Sequence, residues 1–92
     1  MTGSDICRMA VEAYGADAQM TVALEELSEL QKEICKAKRG KLNVENISEE
    51  IADVEIMLEQ LRIMFENAAK VNEWRERKLL RLKVRMIEEG VV

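Results

Sequence analysis

The chain has no histidine and no proline, and among its 92 residues it has only two cysteines and four glycines. The lack of histidine excludes Ser-His and Cys-His nucleophilic catalysis, and it argues against a ferritin-like di-iron site, which uses Glu-x-x-His. The absence of proline suits long uninterrupted helices. Cys7 and Cys35 show neither CxxC nor Cys/His metal spacing, so they read as small buried hydrophobes in a reducing compartment. Gly3, Gly15, Gly40 and Gly90 are isolated, which rules out a glycine-rich phosphate loop. No apolar run approaches the length needed to cross a bilayer, and MTGSDICRMA lacks the basic-then-hydrophobic pattern of a secretory leader. A cytoplasmic protein without membrane contact is the expectation.

What is present is charge, unevenly placed. Residues 1–69 carry 7 Lys/Arg against 14 Asp/Glu, and residues 70–92 carry 7 against 4, for net charges of −7 and +3. An acidic body with a basic last segment results. At this length a lone subunit has a thin core, so a homodimer or homotetramer is expected.

Hydrophobic periodicity predicts an all-α, antiparallel bundle of about four helices in a single domain spanning residues 1–92. A short helix over Asp5 to Tyr14 takes Ser4 as N-cap and Gly15 as stop. Asp17 caps a second helix to about Arg39, with Met20, Ala23, Leu27, Leu30, Ile34 and Ala37 as its core stripe and Gly40 at its end. The third begins at Asn43 or Asn46 and continues to about Ala68, and the fourth runs from Asn72 to about Glu88. Leu79, Leu82 and Met86 make one apolar stripe on that last helix, and Leu80, Val84 and Ile87 make another. A helix with two such stripes is expected to touch a neighbouring subunit as well as its own.

One residue on the third helix breaks the pattern. Ile47, Glu50, Val54, Met57, Leu61, Met64 and Ala68 follow the spacing of a buried seam, so a carboxylate occupies an apolar seat. Buried carboxylates must be paired, protonated or bound to metal. The nearest groups are also acidic: Asp53 lies one turn on, and Glu25, Glu26 and Glu29 stand on the second helix. Like charges brought together by antiparallel packing call for a hard, oxygen-preferring cation, Mg²⁺ or Mn²⁺. Glu45, Glu49, Glu55, Glu59 and Glu66 read instead as a solvated acidic face.

Glu25-Glu26-Leu27-Ser28-Glu29 followed by Glu50-Ile51-Ala52-Asp53 resembles the EExxE…ExxD pattern of the MazG-like all-α nucleoside triphosphate pyrophosphohydrolases, over roughly Ala18 to Met86. The resemblance implies Mg²⁺ ligation by Glu26, Glu29, Glu50 and Asp53, and hydrolysis of a nucleoside triphosphate to the monophosphate and pyrophosphate. Two or more Mg²⁺ ions would sit on the phosphate oxygens. Glu25 is left as an orienting group, as the catalytic base for the attacking water, or as a plain exposed glutamate. Lys78 and Arg81 resemble the KxxR feature that this family carries near the triphosphate, against a purely structural role. Lys32 and Lys36 either touch the phosphates or pair with Glu29 and Glu33 along the helix. Trp74 stacks on a base or joins the core. The rival reading is a helical interaction or regulatory protein, an antitoxin-like dimer without catalysis. Nucleic acid is disfavoured as its partner by the overall charge of −4 and the lack of a helix-turn-helix pattern.

Overall fold

A computed structural model describes all 92 residues as four helices without a strand: α1 Gly3–Tyr14, α2 Ala16–Lys38, α3 Val44–Met64 and α4 Ala68–Glu88. The α1 cap is Thr2 instead of Ser4. The Asp5 backbone N–H donates to Thr2 Oγ1 at 3.0 Å, and the Thr2 N–H donates back to Asp5 Oδ2 at 2.9 Å, a reciprocal capping box. Ser4 is thereby inside the helix, free to donate its hydroxyl to Glu59 at 2.6 Å. Gly15 alone separates α1 from α2, at φ 90 and ψ 152, a conformation nearly confined to glycine. Asp17 accordingly falls in the first turn of α2 and does not cap it.

α2 ends in a Schellman motif around Gly40, whose N–H donates to the Ala37 carbonyl while the Lys41 N–H reaches Lys36. Of the two candidate starts for α3, Asn43 is the cap, since its side chain accepts from the Asn46 N–H at 3.0 Å. α3 stops at Met64, short of the expected Ala68, and α4 begins at Ala68, ahead of the expected Asn72. The turn between them has the same hydrogen-bond pattern as the Gly40 turn, with Glu66 at φ 49 where a glycine is usual. No glycine or proline marks it, which is why periodicity alone carries the helix through.

α2 and α3 make the principal packing of the molecule, and they run antiparallel. Gln19 Nε2 donates to Gln60 Oε1 at 2.7 Å at one end of the pair. Seven residues on along α2 and seven back along α3, Glu26 meets Asp53. The face α2 turns to α3 is rotated toward its acids relative to the expected stripe. Ala23 is buried, but Leu27 and Ile34 remain 38% and 45% exposed. On α3, Val54 and Met57 are buried as expected, whereas Ile51 and Leu58, and Phe65 just past its end, stay exposed.

α1 lies against α3 and touches α2. Cys7 is buried there and donates weakly to the Ile56 carbonyl at 3.9 Å and to Glu59 at 3.7 Å. Burial, then the Glu59 charge and hydrogen bond, push its thiol pKa up. Glu59 is therefore a half-buried structural acceptor and not part of a solvated face. Cys35, against expectation, is exposed, and both cysteines are free. α4 touches only α3 and buries no residue. Trp74 is 50% exposed, with Arg77 and Lys78 over its ring at 5.4 and 6.0 Å, so it is not core.

Candidate functional site

Along α2, Glu26, Glu29 and Glu33 recur at intervals of three and four and share one face; on α3, Glu50 and Asp53 do the same. Antiparallel packing sets these faces against each other. One carboxylate oxygen each from Glu26, Glu50 and Asp53 lies within 4.8 Å of the other two, and all three residues are half-buried. Three converging carboxylate oxygens are the donor type that a hard divalent cation takes, and these side chains would draw together to hold one.

No cation of the chain neutralises this group. The ion pairs are Lys36–Glu33, Arg77–Glu73 and Arg85–Glu89, none of which involves Glu26, Glu50 or Asp53. Glu50 Oε2 is fully covered and has no hydrogen-bond partner. Burial raises the Glu50 pKa, and the charges of Asp53, Glu29, Glu49 and Glu33 raise it further. Burial also raises Glu26, followed by the charge and hydrogen bond of Asp53 and the charges of Glu50 and Glu29. A covered, unpaired carboxylate oxygen amid other carboxylates fits a hard divalent cation.

The remaining expected residues are placed as follows. Glu29 is exposed but close enough for its charge to act on Glu50. Glu25 is exposed and outside the group of three. Lys32 is exposed without an ion-pair partner, while Lys36 pairs with Glu33 at 3.4 Å. Lys78 and Arg81 stand exposed on α4, which does not touch α2. Packing within one chain thus assembles the carboxylates and leaves the α4 cations outside.

Three buried polar residues escape the expected pattern: Gln19, Glu33 and Gln60. A signal for them exists in the sequence. Gln19, Glu26 and Glu33 are spaced by seven on α2, as are Asp53 and Gln60 on α3, a polar seam at coiled-coil spacing beside the apolar one. A cleft of about 710 Å³ between α1, α3 and the start of α4 is lined by Arg8, Glu55, Glu59 and Arg62 among others and contains none of the clustered acids. No protein-family model matches the chain, and no curated protein or solved structure matches it either.

Proposed function

We propose that the chain is a MazG-like, Mg²⁺-dependent nucleoside triphosphate pyrophosphohydrolase, converting a ribo- or deoxyribonucleoside triphosphate to the monophosphate and pyrophosphate. The observation that carries this reading is the covered, unpartnered Glu50 oxygen set among Glu26 and Asp53. Glu26, Glu29, Glu50 and Asp53 hold the cation, Mg²⁺ or Mn²⁺. When bound, it polarises phosphate oxygens and offsets charge on the departing pyrophosphate. Glu25, exposed beside the cluster on α2, accepts the proton of the water that attacks phosphorus as the bond between the α and β phosphates breaks. Lys32, Lys78 and Arg81 contact the triphosphate, and these cations hold the polyanion in place of a glycine loop.

Since α4 does not reach α2 in its own chain, Lys78 and Arg81 act in this reading on the cluster of a second copy. A homodimer or homotetramer follows from that arrangement, and the reading puts it in the cytoplasm. A second reading, a helical interaction or regulatory protein without catalysis, is favoured by one observation: Leu79, Leu80, Val84 and Ile87 leave α4 apolar and uncovered. Incubation with a mixed nucleotide pool and Mg²⁺, assayed for pyrophosphate, separates the two. Release by the wild type and its loss in Glu50→Gln supports the enzyme, and no release from any nucleotide leaves the interaction protein.

A further inference from the structure

α2 turns the less apolar of its two available faces into the packing. Gln19 and Glu33 are 7% and 8% exposed, while Leu27 and Ile34, from the apolar row of the same helix, stay 38% and 45% exposed. Two forces oppose that choice. Covering Leu27 and Ile34 would remove more apolar surface from water, and the charges of Asp53 and Glu50 press on Glu26 across the seam. The Gln19–Gln60 pair counteracts both. Gln19 Nε2 donates to Gln60 Oε1 at 2.7 Å, and with Gln60 only 4% exposed the bond lies in the covered part of the α2–α3 packing. Rotation of α2 would break it there, where an amide without a partner is costly.

The place of this bond on the two helices gives it a further effect. Glu26 stands seven residues beyond Gln19 on α2, and Asp53 stands seven residues before Gln60 on α3. Seven residues are two helical turns to within about 20°, a rise of about 10 Å, so whatever fixes the direction of Gln19 and Gln60 also fixes that of Glu26 and Asp53. A single polar contact in a helical seam is a known means of setting how two helices meet. Being uncharged, this one acts whether or not a cation is present. We propose that the Gln19–Gln60 amide pair is the positioning element of the carboxylate site, locking α2 in the rotation that sets Glu26 against Asp53 and Glu50. Neither glutamine is a cation ligand in the reading above, on which this inference rests for the purpose of the site; both act through Glu26.

The test replaces both glutamines by methionine, which keeps their length and removes the hydrogen bond. In Gln19→Met/Gln60→Met, α2 is free to turn toward Leu27 and only a fraction of molecules present Glu26, so the apparent Kd for Mn²⁺ rises by the inverse of that fraction. Calorimetry is expected to show a rise of about tenfold or more. The metal-free Tm should be no lower than wild type, because both partners of a buried bond have been exchanged for apolar groups. A merely structural pair would lower Tm and leave Kd alone. Rotation is read directly, without metal, from the rate of maleimide labelling at position 27 in Leu27→Cys with Cys35→Ser. The two methionines should slow that labelling several-fold by drawing the position into the packing. Should the double variant not fold, Gln60→Asn keeps the amide and withdraws it by one methylene, and both shifts are expected there in the same direction. An unchanged labelling rate or an unchanged Mn²⁺ Kd in the folded variant overturns the positioning role. If wild type binds no Mn²⁺, the cation reading fails by itself, and the labelling rate still decides whether the pair sets the rotation of α2.

Discussion

At the scale of single residues, Glu50 and Glu55 make the informative contrast. Glu50→Gln keeps the shape of the side chain and removes the charge that burial and the neighbouring acids oppose. It is expected to abolish Mg²⁺-dependent turnover while the metal-free Tm stays the same or rises. Exposed Glu55, changed to glutamine, should alter neither by more than about 0.5 kcal/mol in stability. Equal behaviour of the two variants in a pyrophosphate assay and a melting curve would remove Glu50 from the site. The same shifts fix the sign of the pH dependence. Glu26 and Glu50 have folded-state pKa values raised above the usual glutamate range. The metal-free fold therefore binds their protons more tightly than the unfolded chain, is most favoured by them at acid pH, and loses that contribution as pH climbs through the raised values. Asp5, held down by the Thr2 backbone and hydroxyl hydrogen bonds, works the other way, its contribution lost as pH falls through its lowered value. Melting without metal from pH 7 downward should show a rise before acid unfolding. Saturating Mg²⁺ should cancel it by holding the acids ionised, adding about 2.7 kcal/mol at a hundredfold excess over Kd.

At the scale of elements, the two unusual turns carry opposite expectations. Gly15 sits at φ 90 with nothing within 4 Å of the place a methyl group would take, so Gly15→Ala meets no clash and reports backbone strain alone. It should cost about 1–3 kcal/mol by chemical denaturation. Glu66 holds φ 49 without glycine's freedom, and Glu66→Gly should stabilise the α3–α4 turn by up to about 1 kcal/mol. A loss of stability instead would show that the Glu66 side chain matters to the turn. These turns also show what the sequence discloses and what it hides. Helix stops at Gly15 and Gly40 are legible because glycine is the residue that such φ values favour, whereas the Glu66 stop is silent and both helix boundaries beside it escape periodicity. The pairing of Glu26 with Glu50 and Asp53 is legible from a carboxylate in an apolar register. Burial of Glu33 is harder to read: its period of seven from Gln19 and Glu26 stands in the sequence, but only the rotation of α2 against α3 shows that this polar row is the covered one. Nor does periodicity say that Leu27 and Ile34 stay partly exposed, since rotation of a helix about its own axis is set by its partner.

At the scale of the whole molecule, the single chain is extended and thinly packed. Its radius of gyration is 16.3 Å, against about 12 Å for a compact domain of this length, and only 7 of 92 residues are buried. Apolar side chains on α4 and just past the end of α3, such as Leu80 at 62% and Phe65 at 56% exposure, are open to solvent. Light scattering at micromolar concentration should accordingly show no monomer. In the proposed homo-oligomer, assembly would also decide where the α4 cations act. There, Arg81→Ala and Glu50→Gln should each damage every site, the first by removing a phosphate contact and the second by removing a cation ligand. If Arg81 serves the cluster of a partner, co-expressing the two variants under different tags yields a mixed dimer in which one pairing carries both defects and the other carries neither. One intact site per dimer should restore roughly half of wild-type turnover. If Arg81 served its own chain, each half of the mixed dimer would hold one defect and nothing would be restored. Arg81→Lys offers the finer measurement, because an ammonium cannot match the planar, two-pronged contact of a guanidinium with phosphate oxygens. It should weaken nucleotide binding without changing Mn²⁺ stoichiometry, and unchanged nucleotide binding in Arg81→Ala would take α4 out of the site altogether.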